Sequence, residues 1–238
     1  MHLNRISILA DQFPTHDRYP FTLDLLHQTG KIDLNKPVTF FIGENGTGKS
    51  TLLEAIANRS GFHIWRGVKR SRYEVNPWED ELYRFIRLAW TDGMVPGSFF
   101  AADIFRNFAK NLDEWSAADP GMLRYFGGKS LMSQSHGQSL MSLFKSRYKI
   151  KGLYLLDEPE TALSPRSQLE LLAVLRAMSS QGHAQFIIAS HSPILLACPG
   201  ADILNFNRAP LASIAYEDTE YYRIYKDFLN NRNEFLSS

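Results

Sequence analysis

The chain has 238 residues, with 26 lysines and arginines against 25 aspartates and glutamates, 44% apolar and 21% charged residues. This length predicts one large domain or a domain with an insertion, and the composition suffices for an apolar core, which argues against a disordered chain. The net charge of +1 gives no general attraction to nucleic acid or an acidic membrane, and a single cysteine, Cys198, excludes an internal disulfide and indicates a reducing compartment.

Short apolar segments alternate with turn residues in the first third of the sequence. Residues 3–9 and 36–43 are predicted to be strands, the second ending in a glycine-rich turn. Residues 50–59 have helical spacing, with their leucines and isoleucine on one face. The first third therefore predicts a strand, a turn and a helix in direct succession.

The middle of the chain, about residues 60–134, differs in character. Amphipathic helices are predicted around residues 79–90 and from Ala101 to Trp115. No obvious linker separates this region from the rest. We interpret it as a helical insertion in one α/β body rather than as an independent domain.

A strand–helix alternation returns after residue 139. Residues 139–149 and 165–180 are predicted to be helices, and residues 152–159 and 184–193 continuous apolar strands. Continuous apolar strands alternating with helices predict an α/β fold with a mostly parallel sheet covered on both faces. Residues 1–238 are therefore predicted to form one domain, with a helical tail at about 215–238 that either docks on the body or binds a partner.

Membrane and secretory segments are not predicted. The N-terminal segment has no sustained apolar region with a small-residue cleavage site. No apolar stretch approaches the roughly 20 residues that a bilayer-spanning helix needs. We expect a soluble, cytoplasmic protein.

Residues 43–50 (GENGTGKS) fit the phosphate-loop pattern G-x-x-x-x-G-K-[ST] between a predicted strand and a predicted helix. Glycines let successive N–H groups point into one concavity that holds a phosphate. Lys49 can reach the β- and γ-phosphates, and the Ser50 hydroxyl can bind Mg²⁺. The candidate nucleotide-binding residues are Gly43, Asn45, Gly46, Thr47, Gly48, Lys49, Ser50 and Thr51.

An apolar strand ends in Asp157 and Glu158. Ligands of doubly wound folds bind at the carboxyl ends of the strands, so Asp157 is predicted to hold Mg²⁺, directly or through water. Glu158 is placed to orient or deprotonate the water that attacks the γ-phosphate. The alternative is a plain strand end before a turn, which Pro159 would also suit.

Two further features follow the same logic. His191 ends a predicted strand, where its imidazole can contact a γ-phosphate; a structural histidine is the alternative. Ser135 and Gly137 stand at the start of a predicted helix, whose free N–H groups favour an anion. The alternative for this pair is a plain N-cap with a glycine turn.

These four elements, in this order and spacing, resemble the ATP-binding-cassette (ABC-type) P-loop ATPases. The loop at 43–51 resembles the Walker A motif, LYLLDE the Walker B motif, SHGQS the signature loop and His191 the switch histidine. The resemblance extends from Val38 to Pro193. The DEPETALSP segment is most similar to the compact soluble ATPases that are grouped with SMC-like and overcoming-lysogenization-defect-like proteins.

The resemblance implies ATP and Mg²⁺ as ligands and ATP hydrolysis as the activity. It also implies a head-to-tail homodimer in which each ATP lies between the Walker A loop of one copy and the signature loop of the other. Ser135, Gly137 and Gln138 would then contact the γ-phosphate in trans, and residues 161–164 would line the dimer seam. ATP binding would close the dimer and hydrolysis would release it.

The sequence departs from the family pattern in three places. His136 replaces the first signature glycine, and Ser164 replaces a seam aspartate. The family glutamine between the two motifs is absent; the best-matched segment, GSFFAADIF, has Asp103, which either holds metal-bound water or caps a helix. The family also has an aromatic residue that stacks on adenine, for which the candidates, each alternatively a core residue, are Phe13, Tyr19 and Phe21.

The biological role leaves alternatives open. Only 84 residues separate Ser50 from Ser135, which excludes a long coiled-coil arm. The basic and aromatic segment at 65–73 (WRGVKRSRY) could bind nucleic acid, or be a solvated loop. We expect a switch that acts on a protein or nucleic-acid partner, in nucleic-acid maintenance or in defence against phage and mobile elements. The alternatives are the ATPase subunit of a transporter with a separate permease, and an ATP-binding switch with little hydrolysis.

Overall fold

The computed structural model describes residues 1–65, 76–102, 104–119, 121, 130 and 136–236. Within these residues the strands are β1 (Leu3–Ile8), β2 (Lys31–Asp33), β3 (Val38–Ile42), β4 (Ile86–Trp90), β5 (Gly97–Ala101), β6 (Gly152–Asp157), β7 (Ala184–Ala189), β8 (Asp202–Asn205) and β9 (Ala212–Ser213). The helices are α1 (Asp24–Gln28), α2 (Lys49–Arg59), α3 (Phe105–Ala118), α4 (His136–Arg147), α5 (Pro165–Ser180), α6 (Pro193–Leu196), α7 (Glu220–Asn230) and α8 (Arg232–Leu236).

The main sheet has the strand order β5-β6-β7-β3-β8-β9 in the described part of the chain. Every neighbouring pair is parallel except β8 and β9. The carboxyl ends of β3, β6 and β7 therefore lie side by side at one edge, in the register Asp157–Ala189 and Phe41–Ala189. The mostly parallel α/β sheet that the sequence predicts is confirmed.

Both faces of the main sheet are covered, which explains the continuous apolar strands. Along β3, Phe40 and Phe41 are both fully buried but belong to two different cores. The core on the Phe41 side includes residues of α1, α2 and the smaller sheet. The core on the Phe40 side includes residues of α3, α4, α5 and α6.

The smaller sheet is antiparallel, with the order β2-β1-β4. The buried Gln185 of β7 links it to the main sheet. Its Oε1 accepts the backbone N–H groups of His2 and Leu3, each at 2.8 Å, and its Nε2 donates to the Leu3 carbonyl. One polar side chain thereby satisfies three buried backbone groups at the start of β1.

The predicted helix over residues 79–90 is wrong. A short 3-10 turn at Leu82–Phe85 leads instead into β4, which pairs with the free edge of β1. Ile86, Leu88 and Trp90 alternate with more exposed residues, and this period of two suits a strand. The preceding apolar residues have the 3.6-residue spacing of a helix, but only that short turn is helical. Tertiary pairing with β1 determines the conformation of the remaining residues.

The region between α2 and α4 is thus mixed. It contributes β4 to the smaller sheet and β5 to the edge of the main sheet, and α3 begins at Phe105, four residues after Ala101. The other helices and strands predicted from the sequence are present, and the prediction over 165–180 coincides with α5.

The C-terminal tail is helical and is docked at its start. Thr219 is fully buried and caps α7 by accepting the Tyr222 N–H, and the Tyr216 hydroxyl donates to the Pro193 carbonyl. Beyond this point, apolar side chains of α7 and α8 stay exposed: Ile224, Tyr225, Phe228, Leu229, Phe235 and Leu236. Within the described residues, no helix combines the length and apolar character needed to span a membrane.

Candidate active site

The phosphate loop connects the end of β3 to the start of α2. Gly48 precedes the helix with φ of +97°, a left-handed conformation that costs glycine little. Gly43 has φ of +145°, and a Cβ on it would lie 2.8 Å from the Asn207 side-chain oxygen. That Asn207 oxygen also accepts the Glu44 N–H at 2.7 Å. Glycine at position 43 therefore allows the segment after β8 to support the loop.

Lys49 is 5% exposed, and its ammonium group lies inside the loop. Its Nζ donates to the carbonyl oxygens of Gly43 and Glu44 at 2.6 and 2.8 Å. Burial lowers the pKa of Lys49, and the charges of Glu158 and Asp157 oppose that effect. These carbonyls hold the cation where a nucleotide phosphate would approach the loop.

Asp157 and Ser50 meet beside this cation. The Ser50 hydroxyl, in the first turn of α2, donates to Asp157 Oδ1 at 3.0 Å. A hydroxyl and a carboxylate are hard oxygen ligands of the kind that Mg²⁺ binds together with substrate phosphates. The donor set at this point fits a magnesium ion.

Glu158 has an unusual backbone conformation. Its φ of +45° places a non-glycine residue in the left-handed region, which costs on the order of 1–3 kcal/mol. Its N–H donates to the Ala189 carbonyl at the end of β7. Its carboxylate Oε1 lies 3.2 Å from His191 Nε2, and the two side chains are 38% and 27% exposed. The strained turn thus aims a solvent-accessible carboxylate along the edge where β6 and β7 end.

His191 is fixed on its backbone side by Glu160. The Glu160 carboxylate accepts the His191 N–H at 2.5 Å, and burial raises the pKa of this carboxyl group. Glu160 was not predicted from the sequence, because its partner lies 31 residues away and the DEPE run gives no signal of the contact.

The imidazole of His191 has a second partner in the C-terminal tail. His191 Nδ1 lies 2.6 Å from the Tyr221 hydroxyl, and this hydroxyl donates to the Gly43 carbonyl at 3.0 Å. Tyr221 belongs to α7, whose sequence has several tyrosines and no feature that singles this one out. Sequence reasoning missed it for that reason, as it missed Asn207.

The residues predicted to act in trans are only partly described. Ser135, together with Asp103, lies outside the described residues. Gly137 and Gln138 lie in the first turn of α4, and a Cβ on Gly137 would be 3.5 Å from the Ala162 carbonyl. Helix α4 therefore starts against the 3-10 turn Pro159–Ala162, at the predicted dimer seam.

Ser164, where the family has an aspartate, caps α5. Its hydroxyl accepts the Ser167 N–H at 3.2 Å. A serine satisfies the free N–H groups of a helix start as an aspartate does, but without the negative charge.

The adenine candidates separate by exposure. Phe13 and Phe21 are 8% and 0% exposed and pack on each other in the core, so neither presents a face for stacking. Tyr19 is 38% exposed, and its hydroxyl bonds to Thr51 Oγ1. Residues 66–73 of the basic segment lie outside the described residues, whereas Trp65 packs with Trp115 at a centroid distance of 5.0 Å.

Two family models match parts of the chain. A model described as "AAA domain, putative AbiEii toxin, Type IV TA system" matches residues 104–197, and a model described as "AAA domain" matches residues 25–58. The first match includes α4, Asp157, Glu158 and His191, and the second includes the phosphate loop.

Known proteins similar to this chain include import ATP-binding proteins. The thiamine import ATP-binding protein ThiQ of a Ruegeria species is 27% identical over 64% of this chain and 69% of its own length. The cobalt import ATP-binding protein CbiO of Salmonella typhimurium is 25% identical over 65% of this chain, and the match spans only 62% of that relative. Among solved structures, an SMC head bound to the C-terminal winged-helix domain of ScpA shares the fold with a TM-score of 0.54 at 14% identity, over 91% of this chain and 99% of the other.

Proposed function

We propose that this chain, an ABC-type P-loop ATPase, uses Mg²⁺-dependent ATP hydrolysis to open and close a head-to-tail homodimer that acts on a partner macromolecule. The observation that carries the proposal is the meeting of three strand ends at one edge. There the buried Lys49, the Ser50–Asp157 pair and the Glu158–His191 pair lie together.

Binding depends on the phosphate loop. The loop N–H groups and the Lys49 ammonium neutralise the triphosphate, and Tyr19 is the accessible aromatic residue near the start of α2. Ser50 and Asp157 would hold Mg²⁺, which supplies positive charge to the phosphate oxygens. Lys49 must exchange a loop carbonyl for a phosphate oxygen when ATP binds.

Hydrolysis depends on Glu158 and His191. Glu158 orients a water molecule and accepts its proton while the water oxygen bonds to the γ-phosphorus. The bond from the γ-phosphorus to the β,γ-bridging oxygen breaks, and ADP leaves with that electron pair. His191 donates a hydrogen bond from Nε2 to the γ-phosphate, which stabilises the charge that develops there.

Dimerisation would complete the site. Gly137 and Gln138 stand at the N-terminus of α4, where free N–H groups favour an anion, and Ser135 directly precedes this helix in sequence. In a head-to-tail pair, this helix of one copy faces the γ-phosphate held by the other. Loss of that phosphate removes the contact and releases the pair.

The partner defines the biological role, and we favour nucleic-acid maintenance or defence against phage and mobile elements. The match of residues 104–197 to a model described as a toxin of a type IV toxin–antitoxin system supports this class. A transporter subunit with a separate permease is the second candidate, supported by the thiamine and cobalt import relatives. Pull-down from the native host with Glu158→Gln and ATP separates the two. A membrane permease in the trapped complex would reject the first role, and a nuclease or nucleic acid would reject the second.

The activity itself is tested by steady-state ATP hydrolysis. We expect the wild type to turn over ATP only with Mg²⁺, and Glu158→Gln to be slower by about 10²–10⁴-fold, because the general base is lost. Glu234→Gln makes the same glutamate-to-glutamine change at an exposed position in α8 and serves as the control. We expect its rate to equal that of the wild type. If wild type and Glu158→Gln are equally slow while ATP still binds, the protein is an ATP-binding switch and not a hydrolase.

A further inference from the structure

The contact between the tail and the ATP site is a feature that the proposed activity does not use. Helix α7 has no fully buried side chain, yet Tyr221 reaches from its first turn to the centre of the site. The hydroxyl of Tyr221 lies between His191 Nδ1, at 2.6 Å, and the Gly43 carbonyl, at 3.0 Å. Its ring meets the imidazole edge-on, at an interplanar angle of 81°. The imidazole is therefore contacted by both the ring and the hydroxyl of Tyr221.

The atoms that face each ring nitrogen limit how these groups bond. The Tyr221 hydroxyl lies within hydrogen-bond distance of both the Gly43 carbonyl and His191 Nδ1, and it can share its hydrogen between them or accept a bond from Nδ1. On the other side of the ring, Nε2 lies 3.2 Å from a Glu158 carboxylate oxygen, which is an acceptor. Nε2–H therefore faces Glu158, while Tyr221 binds Nδ1.

Two carboxylates contact this histidine: Glu158 lies at Nε2, and Glu160 accepts the backbone N–H. Burial raises the pKa of the Tyr221 phenol, so this group keeps its hydrogen. If Tyr221 were absent, Nδ1 would lose its partner, and the ring could rotate.

We propose that Tyr221 is a positioning residue: its hydroxyl holds His191 by Nδ1, so that Nε2–H points to Glu158 and the γ-phosphate, and ties the histidine to the phosphate loop through Gly43. This inference rests on the proposed function, because it assigns His191 to the γ-phosphate. It also makes the docking of α7 a condition for an aligned site, since Tyr221 lies one residue after Glu220, where this helix begins.

The test compares Tyr221→Phe with Tyr225→Phe. Both variants lose one hydroxyl from α7, but Tyr225 is 55% exposed, and its hydroxyl makes no hydrogen bond to His191 or Gly43 in the described part of the chain. We expect kcat for ATP to fall about 10- to 100-fold in Tyr221→Phe, as for other losses of an orienting hydrogen bond. Nucleotide affinity should change less than about threefold, because the bonds of Lys49 and the loop N–H groups remain. Tyr225→Phe should resemble the wild type in both.

A readout that needs no turnover separates this inference from the proposed function. The ring ¹⁵N resonances of His191, assigned by their absence in His191→Asn, should show a hydrogen-bonded Nδ1 in the wild type and a changed Nδ1 signal in Tyr221→Phe. Unchanged ring signals or an unchanged kcat in Tyr221→Phe would overturn the inference. A loss of nucleotide affinity that matches the loss of kcat would overturn it as well, since it would indicate a general structural role. If the wild type does not hydrolyse ATP, the proposed function fails by itself, and the ring signals still decide whether Tyr221 holds His191.

Discussion

Lys49 illustrates, at the scale of the residue, how the loop is prepared for a phosphate. Its ammonium group is buried and bonded only to neutral carbonyl oxygens of the loop, so it has no direct ion pair among the described contacts. A triphosphate would offer Lys49 the anionic partner that the neutral carbonyls do not provide. Charge-assisted hydrogen bonds contribute about 1.5–3 kcal/mol each. We therefore expect Lys49 to act mainly in nucleotide binding.

We predict that Lys49→Ala weakens ATP binding by about 10- to 100-fold, the equivalent of one such bond. Titration with a fluorescent ATP analogue measures this change. Lys145→Ala removes an exposed lysine that pairs with Glu170 and should leave the affinity unchanged. An equal effect of both variants would argue against a specific role of Lys49.

Cys198 gives a second prediction at the scale of the residue: its thiol should be unreactive in the folded protein. Burial raises the pKa of its thiol to about 11, so at pH 8 only about one molecule in a thousand carries the reactive thiolate. Iodoacetamide should modify the native protein very slowly at pH 8 and rapidly after unfolding in urea, as followed by mass spectrometry. Fast labelling of the folded protein would show that the thiol is accessible.

The sequence was sufficient for the residues that directly follow strands or lie within motifs. Lys49, Ser50, Asp157, Glu158 and His191 are brought together as expected, because parallel strands end at the same edge. Residues that reach the site through long-range contacts were missed. Their partners lie 30 to 178 residues away, and no local pattern encodes such a contact; they are Glu160, Tyr221 and Asn207.

At the scale of the element, local sequence signals predicted the start of helix α5 correctly but did not predict strand β4. Helix α5 begins at Pro165 after the Ser164 cap, and both residues are start signals visible in the sequence. The apolar residues in and before strand β4 have a spacing that is compatible with a helix as well as with a strand. Its partner, β1, precedes it by about 80 residues, so pairing decided a case that periodicity left ambiguous.

The link between the two sheets should depend on Gln185. We predict that Gln185→Leu lowers the free energy of unfolding by at least about 2 kcal/mol, because three buried backbone groups lose their partner. Urea denaturation followed by circular dichroism measures this. Gln181→Leu, at an exposed position after α5, is the control. Similar stability of the two variants would mean that the start of β1 finds other partners.

The start of α4 should decide dimerisation. We predict that Gly137→Glu abolishes the ATP-dependent dimer, because it puts a carboxylate where the γ-phosphate of the other copy would lie. Gly137→Ala tests folding at the same position: its Cβ would lie 3.5 Å from the Ala162 carbonyl, an ordinary contact. Cross-linking with and without ATP compares the two. A dimer that persists in Gly137→Glu would place the contact elsewhere.

At the scale of the whole molecule, the site is open on the side where a second copy would complete it. The side chains of Glu158 and His191 are 38% and 27% exposed, although both lie at the centre of the proposed active site. Water must be excluded from such a site during phosphoryl transfer. A head-to-tail partner would cover this edge with its own α4, and hydrolysis would uncover it again.

The most direct test of this account measures the molar mass of Glu158→Gln by light scattering after size exclusion, with and without Mg²⁺-ATP. We predict a monomer of 27.2 kDa without nucleotide and a stable dimer of twice that mass with ATP, since the closed state cannot hydrolyse its nucleotide. Adding the Gly137→Glu change to the trapped variant should return the monomer. A monomer at saturating ATP, with nucleotide binding confirmed on the same sample, would contradict the ATP-driven dimer switch.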